Sequence, residues 1–270
     1  MPETHDKGPL LGRQVSGSES YDPRLLFPVP RAHARSSLPG SGFAGHGEDI
    51  WHAYELSWLS ATGMPVMFTG VIDIPATSAN IIESKSMKLY LNSLNNHRFK
   101  TPQKARAVIE KDLSAVAQAS VGLELLGPDD SMIAGVMLEA ECLDDLVVKV
   151  PDAPDASSLR SAGDTGARLC THLMRSRCPV TDQPDWATVV IETRGAAPER
   201  ERLLAYLLGY RNHQEFHEQC VERIYTDLLT QLAPSYLSVQ ALYTRRGGLD
   251  ISPWRCSEDK PAPRRRMSRQ

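Results

Sequence analysis

The stretch Cys178-Pro179-Val180-Thr181-Asp182-Gln183-Pro184-Asp185-Trp186 places a carboxylate seven residues after a thiol and leads into a run of strand composition at 187–193. Its two prolines fix backbone angles and remove two hydrogen-bond donors, which predicts a shaped loop and not a helix. A cysteine on a rigid loop at the mouth of a strand is a plausible nucleophile, and Asp185 is a candidate proton donor. Alternatively, Cys178 is a small buried hydrophobe and Asp185 is a turn residue that caps a backbone group.

The second half of the chain predicts strands and helices in a fixed order around this loop. Apolar spacing predicts strands at 167–174 and 187–193, helices at 198–210 and 218–232, and a strand at 235–244. Antiparallel strands with two helices between them describe an α+β module.

The first half repeats this order. The predicted elements are strands at 49–59 and 65–74 with a hairpin turn at 63–65, helices at 87–94 and 102–119, and strands at 120–126 and 132–142. The letters also repeat at a separation of 116 residues, because Tyr90-Leu91 and Asn96-His97 match Tyr206-Leu207 and Asn212-His213. On that register Glu83 aligns with Glu199 and Thr62 aligns with Cys178. We therefore interpret the chain as a duplicated module whose copies have divided the chemistry.

The predicted organisation has three parts. Residues 1–45 are rich in Gly, Pro, Ser and charge, and are expected to form a largely irregular N-terminal arm that is partly ordered at 21–27. Residues 46–150 form the first module. Residues 151–270 form the second module, which starts with a linker-like stretch rich in Pro, Asp and Ser.

Composition excludes several classes of protein. The chain has 270 residues, 41% hydrophobic and 23% charged, which is ordinary for a globular protein. A net charge of -3 argues against a nucleic-acid surface built on overall charge, and no apolar run is long enough for a membrane span. Five cysteines without a CxxC pair or a secretory signal favour free thiols in a reducing cytoplasm.

Four separated motifs carry a resemblance to a known family. They are ESKSMKLYLNS at 83–93, CPVTDQPDW at 178–186, FHEQCVERI at 216–224 and YTRRGGLDI at 243–251. In this order they resemble the NADPH-dependent 7-cyano-7-deazaguanine reductases, the nitrile reductases of queuosine biosynthesis, in their long two-module form. The resemblance implies tandem tunnelling-fold modules, a homodimer, and sites at module interfaces. An open sheet edge fits such oligomerisation, since it must pair with something.

The resemblance also implies the reaction. The thiolate of Cys178 adds to the nitrile carbon to give a thioimide, and Asp185 protonates the nitrile nitrogen. Reduction from nitrile to primary amine takes four electrons, and so two NADPH for each turnover. No metal is expected in this chemistry, and nucleic acid is not expected to bind directly.

Substrate binding falls, by the same resemblance, to two segments. Glu218 accepts the adjacent ring N–H and amino donors of a deazaguanine, and a carboxylate suits this bidentate contact. His217 contacts substrate or assists proton transfer, and Phe216 stacks on the ring or belongs to the core. The second segment comprises Ile82, Glu83 and Ser84. Helix-start acids are the alternative for both Glu83 and Glu218.

For NADPH, the resemblance points to Ser84, Lys85, Arg246 and Gly247. Hydroxyl, ammonium and guanidinium groups suit phosphates, and glycine allows close backbone approach. A Rossmann site is not expected, because no GxGxxG follows a strand.

Two other functions compete with nitrile reduction. Tunnelling-fold relatives include zinc-dependent cyclohydrolases of purine nucleotides, in which case Cys178, His217 and Cys220 would be the metal ligands. The third hypothesis is RNA binding through the basic residues of the tail, 260–270. The alternative is that this tail is a solvated segment without a binding role. No role is predicted for Cys142, Cys170 and Cys256, and core packing is the expectation for Cys220.

Overall fold

One eight-stranded sheet organises the chain in the computed structural model, which describes residues 20–270. The strands are β1 (Pro28–Pro30), β2 (His46–Leu59), β3 (Pro65–Pro75), β4 (Asn80–Ile82), β5 (Gly122–Leu126), β6 (Glu141–Cys142), β7 (Ser161–Gly163), β8 (Ala167–Arg177), β9 (Pro184–Arg194), β10 (Ala197–Pro198), β11 (Tyr236–Tyr243) and β12 (Leu249–Cys256). The helices are α1 (Arg31–Arg35), α2 (Ser84–Ser93), α3 (Pro102–Ala117), α4 (Arg200–Leu208) and α5 (His217–Leu232).

The order of the large sheet is β5-β3-β2-β12-β11-β9-β8-β6. Every neighbouring pair is antiparallel except β6 and β8, which are parallel. The pairing of β2 with β12 joins the two halves of the chain into one sheet. The predicted α+β class, with antiparallel strands and paired helices, is confirmed.

The duplication inferred from the letters is visible in the hydrogen bonds. Leu59 N donates to His97 O at 2.9 Å in the first half, and Arg177 N donates to His213 O at 2.9 Å in the second. Likewise, Tyr90 Oη donates to Asp112 at 2.7 Å in the first half, and Tyr206 Oη donates to Asp227 at 2.6 Å in the second. Glu83 and Glu199 both precede the first turn of a helix. Thr62 and Cys178 both lie between two antiparallel strands, β2 and β3 in one half and β8 and β9 in the other.

Two expectations about strands differ from the structure. The strand predicted at 132–142 is wrong, since only Glu141–Cys142 pairs and Met137 and other apolar side chains are exposed. Conversely, β12 was not predicted, although it lies at the centre of the sheet. Residues 147–150, adjacent to the linker-like stretch, contain no strand. The division of the chain at residue 150 stays a prediction.

The helices of each half cover one face of the sheet and make its core. Trp51, Ile72 and Leu123 pack under α2 and α3, while Val189, Leu237 and Val239 pack under α4 and α5. Alternate residues of the same strands point the other way, since side chains alternate across a strand. Ile50, Val71 and Trp254 accordingly form a third cluster on the opposite face.

The C-terminal residues cover part of that opposite face. Ala262 joins the third cluster, and Arg266 and Gln270 are buried. The Arg266 guanidinium donates to the carbonyl of Ile133, and Val136 N donates to Arg266 O at 2.8 Å. The tail is therefore packed against the sheet together with the segment after β5, which makes the expectation of a solvated tail wrong.

The described part of the N-terminal arm, residues 20–45, is held by polar contacts. Tyr21 Oη donates to Asp112 at 2.6 Å, and Leu26 is buried in the core of the first half. Arg31 enters a buried ion cluster with Asp49, Glu222 and Arg255, which ties the arm to both halves. Residues 1–19 lie outside the described residues. Within residues 20–270, no helix has the length and apolar character needed to cross a membrane.

Candidate active site

A cavity of about 500 Å³ lies at the junction of the two halves, a size within the range of ligand sites. The first half contributes β2 and the start of α2, and the second half contributes the Cys178 loop, the start of α5 and the turn before β12. Ten of the eleven predicted site residues line it, and Glu83 does not. The ten are Ile82, Ser84, Lys85, Cys178, Asp185, Phe216, His217, Glu218, Arg246 and Gly247. The structure adds Leu249 to the same wall.

The Cys178 loop is a closed turn between β8 and β9. Cys178 N donates to Gln183 O at 2.9 Å, and Asp182 N donates to Cys178 O at 3.0 Å. Asp182 has φ 59°, a left-handed conformation that aspartate tolerates better than most residues. Its carboxylate pairs with Arg177 and accepts from Gln214 at 2.8 Å. These bonds hold the thiol at the cavity wall, where it is 8% exposed.

Asp185 is the centre of a charged group beside the thiol. His217 Nε2 lies 3.4 Å from Asp185 Oδ2, and the guanidinium of Arg246 pairs with Oδ1. Burial raises the pKa of Asp185, but the hydrogen bonds and charges of His217 and Arg246 outweigh it, so that the pKa is lowered overall. Asp185 is therefore an ionised carboxylate in the free site. The His217 ring is held in place by packing on Tyr243, with ring centroids 3.9 Å apart.

Glu218 is a buried carboxyl in the first turn of α5. It lines the cavity and is only 3% exposed. Burial, with a contribution from the nearby Asp49, raises the pKa of Glu218 to about 7, although His217 and Arg31 oppose the shift. A carboxyl group inside a cavity with a pKa near neutral pH is suited to bind a ligand that donates hydrogen bonds to it.

The start of α2 supplies the wall from the first half. Glu83 is fully buried, and its carboxylate accepts from Lys85 N at 2.9 Å and Ser86 N at 2.8 Å. It thus caps the helix and leaves Ser84 and Lys85 facing the cavity. The cap is the helix-start alternative considered for Glu83, and its contact with substrate stays a prediction.

Sequence reasoning missed several residues of this wall. Lys88 lies one helical turn after Lys85 and also lines the cavity, a position that the three-residue spacing of the two lysines would have indicated. Trp51 and Ile251 form the floor, but a strand residue that is apolar gives no separate sign of facing a ligand.

Arg246 reaches the cavity from a tight turn between β11 and β12. Gly247 and Gly248 follow it with φ 61° and 79°, conformations that favour glycine. A Cβ on Gly247 would lie 2.7 Å from the Lys88 ammonium nitrogen, so the two halves approach closely here. Lys85, Lys88 and Arg246 give one side of the cavity a positive character that suits phosphate groups.

The three residues considered as zinc ligands do not form a site. Cys178 and His217 line the cavity, whereas Cys220 is fully buried in the core of the second half and faces away from it. Burial raises the pKa of the Cys220 thiol well above its usual value, as expected of an inert core residue. Among residues 20–270, the side chains close enough together to share a metal lie elsewhere.

Comparisons with known proteins give one family. A family model described as "Nitrile reductase, 7-cyano-7-deazaguanine-reductase N-term" matches residues 18–125, and one described as "QueF-like protein" matches residues 184–262. An apo crystal structure of the archaeosine synthase QueF-Like is 23% identical over 36% of this chain and 97% of its own, with a TM-score of 0.33.

Full-length relatives share nearly half of their residues with this chain. A protein of Desulfotalea psychrophila is 46% identical, with 100% of each chain covered. One of Xanthomonas campestris pv. campestris is 49% identical with 94% of each covered, and one of Chromohalobacter salexigens is 45% identical with 96% of each covered. All three are named NADPH-dependent 7-cyano-7-deazaguanine reductase.

Proposed function

Since the chain belongs to the 7-cyano-7-deazaguanine reductase family, we propose that it reduces the nitrile of this base to 7-aminomethyl-7-deazaguanine with NADPH. The observation that carries the proposal is the convergence of Cys178, Asp185, His217 and Glu218 on one cavity. The cavity thus offers a nucleophile, a proton relay and a carboxyl for a guanine-like edge. The product is a precursor of queuosine, the modified tRNA nucleoside.

Cys178 begins the chemistry as the nucleophile. Its thiolate sulfur forms a bond to the nitrile carbon, and one π pair of the nitrile moves to nitrogen, which takes a proton. The result is a thioimide, a C=N group that accepts hydride more readily than a nitrile does. Nucleophilic catalysis of this kind divides one difficult step into easier ones.

The proton for nitrogen comes from the Asp185 side of the cavity. Because Asp185 is ionised in the free site, the proton reaches the nitrile nitrogen through Asp185 or through His217, whose Nε2 lies 3.4 Å from Asp185 Oδ2. Arg246 competes for the same carboxylate. If Arg246 were to pair with the phosphate groups of NADPH, the pKa of Asp185 would rise, and a better acid would face the substrate.

NADPH supplies the electrons as hydride, and two molecules are consumed for each nitrile. After the first hydride, the bond between carbon and the Cys178 sulfur breaks and releases an imine together with the thiolate. The second hydride and a proton complete the amine, so that the nitrile gains two hydrides and two protons in all. Ser84, Lys85, Arg246 and Gly247 are the residues proposed to hold this cofactor, and their shared wall fits its phosphates.

Glu218 recognises the substrate through a bidentate contact. Its carboxylate accepts from the ring N–H and the amino group of the deazaguanine, donors that an adenine edge does not present together. Phe216 and Ile82 offer apolar surface for the ring, and Ser84 lines the same cavity. We also assign Glu83 to the substrate set, although its carboxylate caps α2 in the free site.

The test is an intact-mass measurement on protein mixed with 7-cyano-7-deazaguanine without NADPH. Wild-type protein should gain the mass of the substrate, and Cys178→Ala should bind substrate without gaining mass and show no turnover. The matched control is Cys256→Ala, which removes a buried thiol outside the cavity and should keep the adduct. Turnover near the wild-type rate in Cys178→Ala would remove the covalent mechanism.

We also propose that the enzyme works as a cytoplasmic homodimer. Within the described chain, β5 ends the large sheet and pairs on one side only, with β3. Such an edge offers unpaired backbone groups to another chain. Light scattering coupled to size exclusion should give twice the 29.8 kDa of one chain, and a stable monomer would contradict the assembly.

A further inference from the structure

Cys142, Cys170 and His172 form a cluster that the reaction does not use. One sulfur or ring nitrogen from each residue lies within 4.8 Å of the others. The cluster stands at the edge of the sheet where β6 pairs with β8. Cys170 precedes Cys178 by eight residues along β8, so the cluster is about 26 Å from the catalytic loop at the rise of an extended strand.

The cluster is held by its surroundings. Cys142 pairs directly with Cys170 in the register of β6 and β8, and Leu143 N donates to Cys170 O at 2.9 Å. Asp144 then accepts from the Thr171 hydroxyl at 2.6 Å and from His172 N at 3.1 Å. These bonds fix the segment that carries Cys142 against the strand that carries the other two ligands. Cys170 and His172, two residues apart, point to the same face of β8.

The donor set selects a metal by its chemistry. Two thiolates and an imidazole are the ligands that Zn²⁺ takes in Cys- and His-containing sites. His172 Nδ1 lies 2.9 Å from the buried hydroxyl of Thr188, a partner of the kind that orients a ligating imidazole. Cys142 is exposed, which gives an ion a path to the buried sulfur of Cys170.

We propose that Cys142, Cys170 and His172 bind a Zn²⁺ ion, which fastens β6, near the end of the first half of the chain, to β8 of the second half. On binding, the two thiols lose their protons to solvent, and two Zn–S bonds and one Zn–N bond to the His172 ring form. The two thiolates balance the charge of the ion. A water molecule takes the fourth position. The site is structural and independent of nitrile chemistry, and it qualifies the expectation that the protein contains no metal.

The test begins with the metal content of the full-length protein, purified without chelator, dialysed against Zn²⁺ and measured by mass spectrometry. We expect about one zinc per chain, the stoichiometry of a single structural site. Cys142→Ser alters an exposed side chain and should lose the zinc while the protein stays folded. His33→Gln, which removes an exposed histidine elsewhere, and Cys178→Ala, which removes the catalytic thiol, should both keep it.

Cobalt gives a second readout that does not depend on stability. Co²⁺ added to metal-free protein should produce thiolate-to-metal charge-transfer absorption in wild type and Cys178→Ala, and less of it in Cys142→Ser. Thr188→Val, which removes the hydroxyl behind His172, should weaken binding about 10- to 100-fold. Zinc that survives Cys142→Ser, no zinc in wild type, or a Cys142–Cys170 disulfide in place of the metal would each overturn the proposal.

Discussion

Asp185 illustrates how a single residue can change role with its neighbours. In the free site His217 and Arg246 keep it ionised, although the proposed reaction needs an acid at this place. We expect Asp185→Asn to lower kcat about 10²- to 10⁴-fold, the usual range for loss of a general acid. Arg246→Gln should raise the pKa of Asp185 and shift the corresponding limb of the pH profile of kcat/KM upward.

The control separates this effect from cofactor binding. Lys88→Gln removes another cation from the same wall but does not contact Asp185, so it should raise the KM for NADPH without moving the pH profile. If the profile of Arg246→Gln coincides with that of wild type, Arg246 does not set the acidity of Asp185.

We expect Glu218 to lower the stability of the folded chain above neutral pH while it contributes to substrate binding. Its pKa of about 7 in the folded chain lies above the ordinary value of 4.5, so the folded chain holds this proton more tightly. Its contribution to stability is therefore complete below pH 4.5 and is lost as pH rises through about 7. Glu218→Gln should raise the melting temperature at pH 8 by about 2 °C or more and leave it unchanged near pH 4.

The same substitution should weaken the substrate complex. A neutral amide cannot accept both donors, and we expect the Kd to rise at least about tenfold, since hydrogen bonds to a charged group contribute about 1.5–3 kcal/mol. For wild type, the Kd should rise as pH falls below 7, because the carboxyl then keeps its proton. Glu201→Gln, at an exposed position, is the control for both measurements, and a pH-independent Kd in wild type would argue against Glu218 as the acceptor.

The sequence motifs predicted the positions of most site residues, but not of all of them. The motif residues on loops and helix starts, such as Cys178 and Glu218, do meet at one cavity. Glu83 faces the backbone of α2 instead, since a carboxylate before a helix satisfies two free N–H groups. The sequence alone does not distinguish a helix cap from a substrate contact, because both roles require an acid at the same position.

At the scale of elements, the buried ion cluster joins α1, β2, α5 and β12. Glu222 contacts the guanidinium groups of Arg31, Arg35 and Arg255, the last of which is fully buried. We expect Glu222→Gln to cost about 3–5 kcal/mol in free energy of unfolding, because it leaves buried arginines without their carboxylate. Urea denaturation at pH 7 measures this.

A surface pair provides the comparison for that measurement. Glu199 pairs with Arg202 at 2.5 Å on the exposed side of α4, and Glu199→Gln should change the free energy of unfolding by no more than about 0.5–1 kcal/mol. Equal costs for the two substitutions would mean that the buried cluster is no better coupled than a surface pair.

The same cluster explains why β12 escaped prediction. Strand prediction relies on alternating apolar residues, but β12 carries Asp250, Pro253 and Arg255, and proline is rare inside a central strand. The charges are compensated by partners on β2 and α5, which are distant in sequence. The error at 132–142 is the reverse, since its apolar residues suggested a strand but most of the segment has no strand to pair with in the described chain.

At the scale of the whole molecule, duplication gives each half a sheet face covered by two helices and leaves the other face to be covered. The repeat was predictable because similar residues recur in the sequence at a constant separation of 116 residues. The covering of the second face was not, because a tail rich in Arg and Pro has the composition of a solvated segment. Its arginines instead find individual acceptors, such as Asp73 for Arg264 at 2.6 Å.

This packing leads to a prediction that distinguishes a structural tail from an RNA-binding one. Deletion of residues 261–270 uncovers Trp254 and the buried His52–Asp250 pair, whose Nδ1 and Oδ1 are 2.7 Å apart. We expect the melting temperature to fall by several degrees, since about 1 kcal/mol corresponds to about 2–4 °C for a chain of about this size. Affinity for tRNA, measured by filter binding at constant salt, should be weak before the deletion and unchanged after it.

Arg264→Gln separates the loss of charge from the loss of packing. It removes one positive charge at a half-exposed ion pair while the rest of the tail stays in place, so the melting temperature should change little. An unchanged melting temperature after the deletion, together with a loss of tRNA binding in both variants, would mean that the tail serves a nucleic-acid partner. A loss of stability in the deletion alone would identify the tail as the cover of the second face, which the duplicated helices leave open.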